Sequence, residues 1–345
     1  REQRVKAAAA PPAPKTREEF ARRREIQRRG LFRSLGLDPL PPRTPLNARV
    51  TGVIERSGYR IEKIVFESRP DFPVTAHLYL PDGPAGAKRP VIVNPHGHWE
   101  WKKQEPTVQA RLIGQALRGY LALVVDSPGF SFEGDNRVER HPAGTDDDLR
   151  LVLGAQNATS VYVWDLVRAL DYLETRPEAD MSRVGLTGAS GGVLATLWAF
   201  AAEPRFACAA PVVYASSYEV NPDNGCLCNH VPGSLRVGDR ADVLALRAPA
   251  PVLIIGAEEA GDFPAKGMRL SGEKLRRLWG FFGKADDAWL RMFPGGHDYS
   301  RPMREAALGF FDKYLKGQGD GAPVPEPAFE TAPPDAPEMY VLPDP

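Results

Sequence analysis

Five residues, Gly188-Ala189-Ser190-Gly191-Gly192, set a serine among small neighbours, after the apolar run ending at Leu186 and before a stretch rich in Ala, Leu and Trp. A serine hydroxyl is a weak nucleophile until a base takes its proton, and that base needs a third group to orient it. A sharp strand-to-helix turn would expose the hydroxyl, and glycines are needed there because chain and helix crowd together. The helix start also aims unpaired N–H groups and the positive end of its dipole at any oxyanion formed nearby. The competing interpretation is purely structural: a Gly-rich helix start whose serine caps the helix.

In a strand–serine–helix scaffold the acid and the histidine follow the serine along the chain. His297, in Phe293-Pro294-Gly295-Gly296-His297-Asp298, follows the last expected strand, whereas His230 precedes the strand beginning at Val252. His297 is therefore the expected base. The loop after Val252–Ile255 carries Glu258, Glu259 and Asp262. At least two of these three must be ordinary solvated charges. Glu259 stands three residues past Gly256, a common place for the acid; Asp262 stands just before Phe263 and a helix start. The oxyanion needs two backbone donors, expected from Gly191 and from His98 in Asn94-Pro95-His96-Gly97-His98-Trp99. The His96-x-His98 spacing can also be read as a metal pair, but no Cys, His or carboxylate partner set accompanies it. Trp99 and Trp101 are expected either as flat platforms for a sugar face or as core packing beneath the loop.

The elements that must position these residues are visible as periodicity. Arg60–Ser68 and Val74–Leu80 alternate as half-buried antiparallel strands do. Val91–Asn94, Leu121–Asp126, Arg183–Leu186, Ala207–Val213 and Val252–Ile255 are short apolar runs, the pattern of parallel strands covered on both faces. Helical patterns at 107–117, 160–173, 191–202, 242–248 and 267–282 lie between them. A last strand, Trp289–Phe293, precedes a helix over 302–315. The alternation predicts an α/β protein with a mixed, mainly parallel sheet and helices on both faces, and it puts the chemistry at the carboxyl ends of the strands.

The chain has 345 residues, with 44 Lys+Arg against 44 Asp+Glu. That length can bury a large core, and zero net charge lacks the basic footprint of a nucleic-acid binder. No apolar run is long enough to span a membrane. Residues 1–33 carry eleven Lys/Arg and four Glu; residues 317–345 carry six Asp/Glu, eight prolines and no Lys/Arg. The expected organisation is a basic extension over 1–40, a catalytic domain over 41–316 with a short cap insertion near 215–240, and a Pro-rich acidic tail that wraps the surface or stays mobile. The chain starts at Arg1, not Met, so a signal peptide or an arbitrary cut has removed what came first; Ala7–Pro14 resembles a linker behind a signal peptide, and under that alternative the expected compartment is secreted or periplasmic. Cys208, Cys226 and Cys228 are expected as buried thiols, with a bridge from Cys208 to either of the others the alternative.

Taken together, these motifs resemble the serine α/β-hydrolases of the acetyl xylan esterase and carbohydrate deacetylase kind, from about Pro41 to Lys316. The resemblance is carried by Asn94–Trp99, Trp164–Glu178, Gly188–Gly192, Gly225–Cys228, Ala248-Pro249-Ala250-Pro251, and Gly296-His297-Asp298-Tyr299. It implies an α/β-hydrolase fold and a cofactor-free carboxylic ester hydrolase with no metal, acting on short acyl esters, with acetylated carbohydrate the favoured class. It also favours Asp262 over Glu259 as partner of His297. A peptidase of the prolyl oligopeptidase kind shares the G-x-S-x-G-G pattern but brings a large propeller that this length does not hold. A catalytically inactive binding module on the same fold usually lacks the serine or the histidine, and both are present.

Overall fold

The computed structural model describes residues 13–84, 86–126, 157–221 and 231–342. Cys226, Cys228 and residues 222–230 of the expected insertion lie outside them. A helix, α1 (Arg17–Ser34), comes first, then β1 (Arg49–Arg56), β2 (Tyr59–Arg69), β3 (Phe72–Pro81) and β4 (Arg89–Val93). Next come α2 (Pro106–Leu117), β5 (Leu121–Val125), α3 (Ala158–Glu174), β6 (Ala179–Ala189), α4 (Gly191–Ala202) and β7 (Cys208–Val212). The short helices α5 (Ser234–Val237) and α6 (Arg240–Ala245) lead to β8 (Val252–Ala257), α7 (Ala265–Gly280), β9 (Ala288–Phe293) and α8 (Arg301–Phe311).

The strands form one nine-stranded sheet in the order β1-β2-β3-β5-β4-β6-β7-β8-β9. From β5 onward every pairing is parallel; β1, β2 and β3 run antiparallel, and β3 joins β5 antiparallel. The alternating patterns thus fall on the antiparallel part and the continuous apolar runs on the parallel part. β3 is not half-buried as expected: Val74–Pro81 are all buried, because Val74, Ala76, Leu78 and Leu80 enter the main core while Tyr79 enters a second apolar cluster with Val108, Ile113 and Met339. Leu123, Leu186, Val212 and Ile254 are wholly buried, as are the large side chains of Trp164, Trp198 and Trp279. Cys208 lies in this layer as a buried free thiol, and burial pushes its pKa up.

Two elements escape the periodicity. β1 has one buried residue, Ile54, because it is an edge strand. Helix α1 lies within the basic segment. Thr16 caps it by accepting from the Glu19 N–H at 3.2 Å, and Phe20 and Leu31 enter the main core. Phe20 packs against Phe281 and Phe282, and Arg17 and Arg24 lie over the Phe282 ring. The acidic tail is also bonded along its course. Arg304 holds Glu326 through two nitrogens (2.6 and 2.8 Å), Gln109 pairs with the Ala332 backbone in both directions, and Met339 is buried.

If α1 belongs to the cooperative fold, Leu31→Ala should lower unfolding free energy by about 2–5 kcal/mol, the usual cost of emptying a core leucine site. Urea denaturation would show this as a lower midpoint at unchanged slope. A loss under about 0.5 kcal/mol, the range of surface changes, would separate α1 from the core.

Candidate active site

The elbow between β6 and α4 is defined by crowding. Ser190 has φ 57° and ψ −128°, a region that L-residues rarely occupy and that costs on the order of 1–3 kcal/mol. Its hydroxyl makes no capping bond to α4, so helix capping does not explain the serine. A Cβ on Gly188 would stand 2.7 Å from the Pro95 carbonyl oxygen and 2.6 Å from that of Gly192. A Cβ on Gly192 would collide with the carbonyl oxygens of Pro95 and His96. Glycine is therefore required at both positions, and the 94–98 loop after β4 lies directly against the elbow.

Gly191 is the first residue of α4, so its N–H has no intrahelical acceptor. The His98 ring lies over it, with Nε2 2.5 Å from the point a Gly191 Cβ would occupy. The two expected oxyanion residues are thereby side by side.

His297 meets Asp262 on the loop after β8: Nδ1 lies 3.4 Å from Oδ2, an ion-pair distance longer than a well-formed hydrogen bond. Glu259 is exposed; its backbone N–H donates to the Gly295 carbonyl at 3.0 Å, and its side chain has no ion pair among the described residues. Between the two expected acids, the structure brings Asp262 to the histidine. The Asp262 side chain is 69% exposed, so water screens its pull. Burial pushes the His297 pKa below the ordinary histidine value, and Asp262 opposes that shift without reversing it. Phe263 packs on the imidazole at 5.5 Å between centroids, and Tyr214 packs on Phe263 at 4.9 Å.

Several contacts that hold these loops escape sequence reasoning. The Tyr299 hydroxyl bonds Thr187 Oγ1 at 2.9 Å, tying the residue two after His297 to the residue three before Ser190. Asn221 donates its side-chain amide to the Asp262 carbonyl. Asn94 and Gln115 exchange side-chain amide bonds at 2.8 and 3.0 Å, fixing the 94–98 loop to α2. Arg111, also on α2, donates to the Pro95 carbonyl at 2.8 Å and sits 5.5 Å from the Tyr299 ring centroid. Burial lowers its pKa to about 10, so it remains a cation near neutrality. The available signal was an arginine on a helix face that also presents Val108, Leu112 and Gln115, all buried.

The histidine pair separates. His96 is buried, donates from Nδ1 to the Gly97 carbonyl at 2.6 Å, and lies 3.9 Å from Asp126. Burial outweighs that carboxylate and holds its pKa at about 4. Asp126 itself is paired with the buried Lys103. No group of three or more His, Cys, Asp or Glu side chains arranged to hold a metal occurs among the described residues. Trp99 is partly buried against a small apolar cluster that includes Val108 and Met339, and its indole nitrogen is buried without a partner among the described residues. Trp101 is half-buried at the start of the next turn.

Comparison with known proteins bears on the fold. Superposed on the methylesterase BT1017, the chain gives a TM-score of 0.74 at 24% identity, covering 95% of this chain and 70% of that one. A glucuronoyl esterase from Solibacter usitatus gives 0.68 at 20% identity, covering 86% and 93%. An acetyl xylan esterase from Paenibacillus sp. R4 gives 0.58 at 19% identity, covering 88% and 97%. The chain has the α/β-hydrolase fold. Within it, residues 152–221, which include the elbow, match the prolyl oligopeptidase family, peptidase S9. The chain is also 24% identical over 313 residues to a candidate hydrolase of Bacillus subtilis (strain 168), YtaP, covering 85% of this chain and 100% of that protein. This α/β-hydrolase chain thus resembles the acetyl xylan esterases in fold, with Ser190 at the turn between β6 and α4.

His77 and His96 are buried and neutral, with pKa values of about 3 and about 4 against an unfolded value of 6.5. A depressed folded pKa gives stability that is full above the unfolded value and lost as pH falls toward the folded one. Between pH 6.5 and 5, urea stability should therefore fall with a slope approaching about 1.4 kcal/mol per pH unit for each histidine. His77→Asn should remove one histidine's share of that slope; an unchanged slope would mean that His77 titrates normally in the folded chain.

Proposed function

We propose that the protein is a serine carboxylic ester hydrolase acting on short acyl esters of carbohydrates. The observation that carries this reading is the His297–Asp262 pair, tied through Tyr299 and Thr187 to a strained Ser190 whose hydroxyl is not used for capping. In this reading His297 takes the Ser190 proton as Oγ attacks the ester carbonyl. The N–H groups of Gly191 and His98 hold the oxyanion of the tetrahedral intermediate. Collapse breaks the bond to the alkoxy oxygen, and His297 returns the proton to the departing alcohol. Water then attacks the acyl-enzyme with His297 again as base, releasing the acid and regenerating the serine. Asp262 keeps the imidazole in the tautomer with its proton on Nδ1.

The similar methylesterase and glucuronoyl esterase favour a second reading, in which the sugar supplies the acid half of the ester, as in a methyl uronate. The match of the elbow region to the prolyl oligopeptidase family keeps a peptide amide as the third substrate to assay.

Ser190→Ala should lower kcat by about 10⁶-fold, since loss of the nucleophile disables the unit as a whole. Asp262→Asn should cost about 10⁴-fold by imposing the wrong tautomer, whereas Glu259→Gln should leave the rate nearly unchanged. A crippled Glu259→Gln beside an active Asp262→Asn would reassign the acid. In the wild type, the acid limb of kcat/KM should lie below pH 6.5, because activity needs neutral His297 and burial lowers its pKa.

A panel of an acetylated sugar, a methyl uronate, an aryl acetate, an aryl octanoate and a peptide amide separates the substrate classes. The aryl acetate should be cleaved far faster than the octanoate, each methylene that fails to fit costing roughly 1–3 kcal/mol. If Trp99 is a sugar platform, Trp99→Ala should raise KM for the acetylated sugar more than for the aryl acetate. Equal losses together with lower stability would assign Trp99 to packing, and a preference for the methyl uronate would reverse the orientation of the sugar.

A further inference from the structure

Arg111 is a buried cation with no carboxylate within ion-pair reach among the described residues. The contrast is local. Arg304, whose Nη1 bonds the Tyr299 carbonyl at 3.0 Å, is neutralised by Glu326 through two nitrogens. Arg111 instead directs Nη2 at two backbone carbonyls, Pro95 at 2.8 Å and His96 at 3.4 Å, while Nε and Nη1 are buried without a hydrogen-bond partner among the described residues. A charge removed from water without a counter-ion is disfavoured, so packing alone is a poor reason for it.

The two carbonyls it holds are the same ones that press on the elbow, where a Cβ on Gly188 or Gly192 would meet them. Left alone, they would bring the negative ends of two peptide dipoles against the turn beside which the substrate carbonyl becomes an oxyanion. The guanidinium draws them toward itself, and its charge offsets theirs in a site where little water intervenes. It also lies over the Tyr299 ring, so one side chain abuts both the oxyanion loop and the histidine loop.

We infer that Arg111 is a positioning residue for ester hydrolysis: it grips the Pro95 and His96 carbonyls, and so holds the His98 N–H where the oxyanion forms and lessens the carbonyls' repulsion of it. The inference rests on the reading of Ser190 as the nucleophile. It predicts a transition-state effect, because only the developing negative charge is sensitive to both functions. Arg111 is itself buried, so its action on the substrate is indirect in this inference.

The test compares Arg111→Lys and Arg111→Met with wild type on an aryl acetate, with active sites counted by exhaustive fluorophosphonate labelling of Ser190. Per labelled site, Arg111→Met should lose about 100-fold in kcat with KM within about twofold, the signature of an interaction made only in the transition state. Arg111→Lys, which keeps the charge and one donor nitrogen, should recover to within about tenfold of wild type while remaining measurably slower. A folded Met variant within about threefold of wild-type kcat, or Lys and Met variants that lose equally, would overturn the inference. Should the Met variant fail to fold, the Lys variant decides: a slower kcat at unchanged KM supports the inference and a wild-type kcat overturns it. A wild type that neither takes the label at Ser190 nor cleaves any ester overturns the hydrolase reading, and this inference with it. Labelled, ester-cleaving wild type beside unaffected Arg111 variants overturns the inference alone.

Discussion

The contact between the 94–98 loop and the β6–α4 elbow is the constraint on which the rest of the site depends. Carbonyl oxygens of Pro95 and His96 stand where side chains at 188 and 192 would have to go, so backbone meets backbone with nothing between. That approach fixes β4 against β6 at their carboxyl ends and forces Ser190 to φ 57°. Strain of this kind persists only where the surroundings over-determine it. Here the surroundings are the buried carboxyl-terminal parts of β4 and β6, the Asn94–Gln115 amide pair, and Arg111.

Buried polar groups surround this contact. Asp126 is buried, and that burial would raise its pKa, yet Lys103, Lys102 and His96 together hold it well below the ordinary carboxylate value. Lys103, His77 and His96 are equally removed from water. Such groups stabilise little by themselves, since desolvation offsets much of their attraction, but each accepts only one arrangement of its partners. The acidic tail enters that arrangement directly, because His77 Nε2 donates to the Met339 carbonyl at 2.8 Å. Segment 317–342 is thus bonded to β3 through Met339 and to α2 through Ala332.

The base and the orienting acid of the proposed triad differ in environment. His297 is mostly buried beside Phe263, whereas Asp262 is open to water. Water weakens the carboxylate's electrostatic help while leaving its orienting role, and its backbone is held by Asn221. Burial keeps the imidazole neutral, which is the form a general base needs.

Sequence alone determined the features that depend on nearest neighbours in the chain. Period-two alternation, continuous apolar runs and helical spacing marked eight of the nine strands, and Gly188–Gly192 marked the elbow, because glycine at a strained turn is a local requirement. Cys226 and Cys228 fall outside the described residues, so their pairing is read from sequence only. Tertiary structure decided what depends on distant partners. Edge strand β1 shows one buried residue, and α1 brings its few apolar side chains to a surface made by other elements, so neither carries a strong period. Three carboxylates share the loop after β8, and only the path of the chain brings Asp262 to within 3.4 Å of His297 while leaving Glu259 in water. Arg111 is the clearest case: its spacing on α2 announces a buried face, but what a buried cation grips is set by which carbonyls another strand delivers to it.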